Sequence, residues 1–340
     1  MRRWVVYTAG FLFVGCISIG GVVYWKYEPS HHWNGMEVPV LSVPALSRDD
    51  TLTDHEPSTS SVTEPVPEAT TPSTPEVSTK SISAFNVLVL GTDARKEEYA
   101  RSDVIMVLHV MPELRKVNIV SIPRDSRVLI DGVGYTKINH AHMLGELKGG
   151  NTEGTRTALQ TVSNFLDVPI NYYLKTDFKG FEDFIDTIGG VDVEVASDVY
   201  LYHAQTTLAK GPQHIDGKLA LSLVRERYAF PDGDFGRQYQ QSQILKNVAQ
   251  EILRPEHISE IAGLLTRVKK DIVDTNFQDS DLISLAWLLK GMSTNDFTTK
   301  QIPGHSGYEM DPLEHLRLYY WIPDKVKVME ISQSLLKDPF

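Results

Sequence analysis

The apolar and polar positions divide the chain into three parts. Residues 4–25, WVVYTAGFLFVGCISIGGVVYW, carry no charge, and an apolar run of about 20 residues is long enough to cross a bilayer as a helix. Residues 47–83 show no period of either kind and are dense in Ser, Thr, Pro and Glu, a composition that cannot bury enough apolar surface to order itself. From Ala84 onward, short apolar runs alternate with segments of helical spacing.

In that third part FNVLVLGTD, SDVIMVLHVM and KVNIVSIPRD are compact β-branched runs bounded by turn residues. They predict three strands in an antiparallel meander. Residues 151–166 predict a helix and NYYLKTD (171–177) a strand. FKGFEDFIDTIGG places Phe178, Phe181, Phe184, Ile185 and Ile188 at helical spacing with Gly189–Gly190 as its stop, and VDVEV (191–195) alternates as a strand. That strand–helix–strand unit predicts a sheet that is partly parallel. In 236–253, Ile244, Leu245, Val248, Ile252 and Leu253 share one face of an amphipathic helix. Further helices are expected in 258–270, 279–291 and 324–337, and a strand near 297–303. The fold class is α/β, a mixed central sheet flanked by helices, behind one N-terminal transmembrane helix.

The chain has 340 residues and a net charge of −11, which opposes general nucleic-acid affinity. Part of the acidity is local: residues 47–80 hold seven acids against Arg48 and Lys80. The single cysteine, Cys16, lies in the apolar run, so no intrachain disulfide is possible. Arg2 and Arg3 precede that run, and Trp4 and Tyr24–Trp25 flank it as interfacial residues would. The expectation is a retained single-pass anchor in the cell membrane with a cytoplasmic N-terminus and everything after Lys26 outside. The domain plan is then 1–3 cytoplasmic, 4–25 anchor, 26–83 a Ser/Thr/Pro/Glu-rich stalk that includes His31 and His32, and 84–340 the folded extracellular domain.

Candidate chemistry comes from the meander. Asp93 ends the first strand, Asp103 begins the second, and the third returns to the same end with Arg124 and Asp125 in SIPRD. Asp93, Arg95, Arg101, Asp103, Arg124 and Asp125 should therefore gather on one sheet edge. Two carboxylates with several arginines are the ingredients of a metal–phosphate site, and equally of a surface salt-bridge network. Lys137 and Asn139 follow in YTKINHAH, and Arg225 and Arg227 in LSLVRERY, where an extended chain would point both arginines to one face. Arg237 and Gln241 continue the apolar stripe of Ile244 and Val248 and so should point inward, where Arg237 needs a partner, a phosphate or a buried Asp such as Asp234. His140 and His142 flank Ala141 without further ligand spacing and read as turn or surface histidines.

The ordered set NVLVLGTDAR, RSDVIMVLHV, VNIVSIPRD, TKIN, NYYLKTDFKGFEDFIDTIGGVDVEV, LVRER and DGDFGRQYQQ resembles the LytR–CpsA–Psr family of cell-wall proteins, strongly over 84–253. The resemblance implies an α/β/α domain outside a Gram-positive-type membrane. It implies a phosphotransferase of the EC 2.7.8 type that moves a polyprenyl-pyrophosphate-linked glycopolymer, wall teichoic acid or capsular polysaccharide, onto peptidoglycan. By the same resemblance Asp93 and Asp103 are the aspartates associated with Mg²⁺ (or Mn²⁺). Arg95, Arg101, Arg124, Lys137, Arg225, Arg227, Arg237 and Gln241 match the phosphate-holding positions, and Asp234 supports Arg237. Asp125 and Asn139 are supporting residues, and Asp93, Asp103, Arg101 and Arg124 are the candidate catalytic set. The chain departs from the family at Gln240, where a second arginine is common. A polyprenyl-pyrophosphate phosphatase and a non-catalytic lipid-binding envelope protein draw on the same residues. A DNA-binding attenuator, the third candidate, would need a basic cytoplasmic surface, and only a few residues are expected inside.

Overall fold

The computed structural model describes residues 26–33, 38–45, 84–93, 99–226, 234–252, 269, 274–290 and 292–338. In chain order the elements are α1 (Pro29–Trp33), β1 (Phe85–Thr92), β2 (Ser102–Met111), β3 (Lys116–Ser121), β4 (Arg127–Ile130), β5 (Gly134–Lys137), α2 (His140–Leu166), β6 (Tyr172–Asp177), α3 (Phe178–Thr187) and β7 (Val191–Val195). They continue with β8 (Val199–Leu201), β9 (Thr206–Leu208), β10 (Gly211–Ile215), α4 (Gly217–Arg225), α5 (Asp234–Ile252), β11 (Asp274–Thr275), α6 (Asp279–Leu289), β12 (Phe297–Gln301), β13 (Gly304–Met310), β14 (Arg317–Pro323) and α7 (Lys325–Leu335). The expected helix at 258–270, apart from the helical residue 269, and the expected anchor at 4–25 lie outside the described residues. Among the described residues no helix is long and apolar enough to cross a membrane.

The central sheet has six strands in the order β11–β6–β1–β2–β3–β12. The β1–β2–β3 meander is antiparallel, as its short charged turns require, while β6 runs parallel to β1 and β12 parallel to β3. The sheet is therefore mixed, but not through the unit expected from sequence. β7 does not join it; it pairs with β10 in a separate ribbon. Its strict buried–exposed alternation suits a strand with one covered face, whereas β1 is covered on both.

Each face of the sheet has its own apolar layer. Leu88, Leu90, Ile105, Val107 and Val120 pack on Ala158, Leu159, Val162 and Leu166 of α2. Val87, Met106, Val110, Val117 and Ile119 face the other way, toward Leu282 and Leu288 of α6 and Phe277. A third cluster joins α3, α4 and α5 to β7–β10 through Ile185, Leu223 and Val248 among others.

Two expectations are corrected here. The stalk does not begin at residue 26. Trp33 is 1% exposed and packs on Phe85 and Tyr172, with ring centroids at 4.4 and 5.6 Å, and His32 Nε2 lies 2.9 Å from Asp281 Oδ1. Residues 38–45 then run along the domain, where the Leu41 N–H donates to the Ile170 carbonyl and the Ile170 N–H to that of Ser42. An indole and a bridged backbone segment find better partners on the domain than in water. Secondly, LSLVR is not extended but forms α4, capped by the Asp216 carboxylate on the Leu219 N–H. The alternation that would set Arg225 and Arg227 on one face of a strand does not apply to Arg225.

Candidate functional site

Between the second face of the sheet and helices α3, α5 and α6 lies a cavity of about 910 Å³. Its body is apolar: Val87, Val89, Met106 and Ile119 line the sheet side, and Leu245, Val248, Leu285 and Leu288 the helix side. One end is charged, with Asp93, Asp103, Arg124, Arg225, Arg237 and Gln241. Helix α5 carries the whole gradient on one stripe. Arg237 and Gln241 occupy the turns above Ile244, Leu245 and Val248, so the 3.6-residue period that buries the apolar side chains also carries the polar ones inward. Arg237 is buried, and Gln241 donates from Nε2 to the Val224 carbonyl at 3.1 Å, tying α5 to α4.

A bulge aims Asp103. Gly91 pairs with Val104 and Thr92 with Ser102, which leaves Asp103 as the extra residue on β2. Strict alternation would send Asp103 to the α2 side with Ile105, whereas a bulge bends the strand and redirects the side chain. Gly91 belongs to the same device, because a Cβ there would stand 3.0 Å from Val104 Cβ. Opposite the bulge, the Arg101 N–H donates to Asp93 Oδ1 at 2.7 Å and the Asp93 N–H to the Arg101 carbonyl at 3.0 Å, closing the base of the β1–β2 connection.

Arg124 donates from a terminal guanidinium nitrogen to Asp103 Oδ1 at 2.5 Å, and its Nε is 3.8 Å from Asp125. Asp125 in turn pairs with Lys137 at 2.7 Å. The SIPRD turn is held from below by the Asn139 N–H on the Arg124 carbonyl and the Ile138 N–H on that of Ser126. The guanidinium of Arg225 sits 4.2 Å from the ring centroid of Phe178, which places a cation on an aromatic face at the cavity wall.

Of the residues singled out from sequence, the structure brings Asp93, Asp103, Arg124, Arg225, Arg237 and Gln241 to one end of one cavity. Arg101, Asp125, Lys137 and Asn139 do not line it. Arg101, Lys137 and Asp125 lie around His140 and act on it electrostatically, forming a shelf beside the mouth. Arg95 and Arg227, and the side chain of Asp234, lie outside the described residues.

The histidines correct the expectation of surface or turn positions. His140 is 5% exposed and His142 1%. The Thr136 hydroxyl donates to Asp311 Oδ2 at 2.8 Å, so its lone pair must accept from His140 Nδ1 at 2.8 Å, and this fixes the imidazole as the Nδ1–H tautomer. Burial, helped by the Arg101 cation, pushes His140 down to about 4. The Tyr320 hydroxyl also donates to Asp311. Burial by itself would raise the Asp311 carboxyl, but the donors from Tyr320, Thr136 and the backbone outweigh it and bring it to about 2. His142 bonds the Ala100 carbonyl and faces Lys175, which is 2% exposed and held by Asn151, Thr155 and Asp274. Sequence reasoning also passed over Tyr202 and His203, which line the cavity beside Arg225. Their only sequence signal is the alternation of YLYH after a short apolar pair.

A model of the LytR_cpsA_psr family matches residues 51–337. A polyisoprenyl-teichoic acid–peptidoglycan teichoic acid transferase TagU of Bacillus cereus is 34% identical over 255 residues, spanning 75% of this chain and 79% of that protein. The crystal structure of Bacillus subtilis TagV superposes with a TM-score of 0.64 at 31% identity, covering 75% of this chain and 98% of that one. A structure of TagT bound to LIIa-WTA gives 0.61 at 26% identity, with 75% and 90% covered.

Proposed function

The chain belongs to the LytR_cpsA_psr family, and from that premise we propose that it is a phosphotransferase of cell-wall assembly that moves a polyprenyl-pyrophosphate-linked anionic glycopolymer onto peptidoglycan. One observation carries the reading: a single cavity with a long apolar body and a charged end. Such a gradient fits a ligand with a long hydrocarbon chain and an anionic head, and the volume is in the range of ligand-binding cavities. The relatives' activity on teichoic acid and peptidoglycan supplies the class of cargo and acceptor.

In this reading the tail lies among Val87, Met106, Leu245, Val248 and Leu285, out of water. Arg124, Arg225 and Arg237 hold the pyrophosphate, with Arg95 and Arg227 as further phosphate contacts and Arg101 and Lys137 on the outer shelf. Guanidinium is suited to this task because it is planar, always charged and bidentate toward phosphate. An acceptor sugar hydroxyl attacks the phosphorus that carries the glycopolymer. A new P–O bond forms to the acceptor, the P–O bond to polyprenyl phosphate breaks, and polyprenyl phosphate leaves. The hydroxyl proton passes to Asp93 or Asp103. Catalysis then rests on position and charge, which suits phosphoryl chemistry.

Asp93 and Asp103 are also the pair that would hold Mg²⁺ or Mn²⁺. Among the described residues no three His, Cys, Asp or Glu side chains group to enclose a metal. A two-carboxylate set fits an ion whose remaining ligands are phosphate oxygens and waters. When bound, the ion would neutralise charge developing on the bridging oxygens. The setting we assign is the outer face of a Gram-positive-type cell membrane, with residues 4–25 as the single-pass anchor.

Arg124→Ala and Arg237→Ala test the clamp. Transfer from a lipid-linked glycopolymer to peptidoglycan should fall by at least about a hundredfold in each, as removal of a group aimed at transition-state charge commonly costs. The folded state of each variant is checked by circular dichroism. Full transfer by both folded variants would sink the assignment of this end to phosphate.

A further inference from the structure

We propose that Tyr200 and Tyr202 form a stacking platform for the pyranose ring carried directly on the donor phosphate. This deepens the lipid-linked glycopolymer reading and rests on it. The two tyrosines stand on a small hairpin that is packed underneath and open on top. β8 and β9 pair in register, Val199 with Leu208 and Leu201 with Thr206. Val199, Leu201 and Leu208 are buried in the cluster that holds α4, so these residues supply the packing that keeps the hairpin in place. Two further bonds fasten it to α4 and its exit. The Tyr202 N–H donates to Glu226 Oε2 and the Ala204 N–H to Ser222 Oγ, each at 3.1 Å.

The two tyrosines point away from that packing. They are 41% and 54% exposed, with ring centroids 5.0 Å apart and planes at 89°. The Tyr200 hydroxyl donates to Gln205 Oε1 at 3.2 Å, which fixes that ring across the turn. Scattered exposed aromatics need no explanation, but these two are in edge contact and one of them stands at the charged end of the cavity. Tyr202 lines it together with Asp177, Phe178, Arg225 and Glu226.

The chemistry of the surface selects the ligand group. An aromatic face covers apolar area while its hydroxyl stays wet. A pyranose presents a C–H face with hydroxyls around its rim, which is the complementary shape. A phosphate would go to the arginines rather than to an aromatic face, and a hydrocarbon tail would go to the dry body of the cavity. With the head group on Arg225 and its neighbours, the next group outward along the ligand is the sugar, and the hairpin is the wall it meets.

The experiment measures binding to the full-length protein in lipid nanodiscs. The probes are polyprenyl pyrophosphate and polyprenyl-pyrophosphoryl N-acetylglucosamine. Tyr200→Ala should weaken the sugar-bearing probe by about tenfold and leave the bare lipid unchanged, and Tyr202→Ala, at a residue that lines the cavity, should weaken the sugar-bearing probe by about tenfold more than the bare lipid. Tyr200→Phe and Tyr202→Phe keep the ring and should bind the sugar-bearing probe within about threefold of wild type. Equal weakening of both probes, or of neither, overturns the platform while leaving the lipid reading in place. A rise in acceptor KM with unaltered donor binding also overturns it, because the rings would then serve the peptidoglycan strand. Failure of the wild-type protein to bind either lipid removes both readings together.

Discussion

Arg124 donates to Asp103 at 2.5 Å and Lys137 pairs with Asp125 at 2.7 Å, so without a ligand the acids and bases of the mouth partly neutralise each other. A phosphate arriving there exchanges one partner of Arg124 for another, which is cheaper than burying an unpaired cation. The shelf behind them is held by the Thr136–His140–Asp311–Tyr320 network, and its titration can be read in stability. With its folded value near 4 and an ordinary value of 6.5, His140 is neutral in the folded protein. Between those two values the unfolded chain binds the proton and the folded one does not. This contribution is therefore complete above pH 6.5 and is lost as pH falls toward 4. It is worth about 3 kcal/mol. Urea unfolding of wild type and His140→Gln at pH 7 and at pH 4.5 checks it: the wild type should lose more stability than the variant by roughly 2 kcal/mol, the part already lost at that pH. Asp311 does not confound the comparison, because its own loss runs from its ordinary value of 3.8 down to its folded value near 2, below the pH compared.

At the scale of elements the gradient on α5 was readable in the sequence, because 237, 241, 244, 245 and 248 recur at helical spacing. The meander was readable for the same kind of reason, since long β-branched runs with charged turns have few other solutions. The bulge at Asp103 was not, because a one-residue slip leaves no trace in composition. β5 and β9, GYTK and TTL, are too short and too polar to alternate visibly. LSLVR offers too little period to separate a helix from a strand; the deciding cap of α4, Asp216, lies upstream. The cavity itself is a gap between elements, and only their packing reveals it. That gap makes a prediction. Leu245 borders open space, so Leu245→Trp fills it without the strain that enlarging a close-packed side chain brings. Thermal unfolding should stay within about 3 °C of wild type, a change of under about 1 kcal/mol. Polyprenyl lipid recovered with the purified protein, measured by mass spectrometry, should drop by at least about tenfold. A clear loss of thermal stability would mean that the space around Leu245 is already filled.

The corrected N-terminus changes the plan of the whole molecule. Residues 38–45 are bonded to the domain at Ile170, Asn164 and Gln160, and β1 begins at Phe85. The acidic segment between them therefore has both of its flanks fixed on the domain. Lys26 and Tyr27 are helical, and only Glu28 separates them from α1. α1 packs on α6, the helix whose Leu285 and Leu288 line the cavity. With residues 4–25 as the proposed anchor, this packing would hold the apolar cavity close to the membrane surface from which a polyprenyl tail would be drawn. The stability of the arrangement should then depend on Trp33 rather than on the acidic segment. Trp33→Ala removes a side chain that is 1% exposed and touches Phe85 and Tyr172, and large-to-small changes of this kind cost about 3–5 kcal/mol. Replacing residues 50–78 with a shorter Gly/Ser link should change the unfolding free energy by less than about 1 kcal/mol, since closure entropy varies slowly with loop length. Denaturant unfolding of the two variants separates the plans. If the Gly/Ser replacement costs as much as Trp33→Ala, the acidic segment is part of the folded structure. If Trp33→Ala costs nothing, the N-terminal segment is the free stalk that its position in the sequence first suggested.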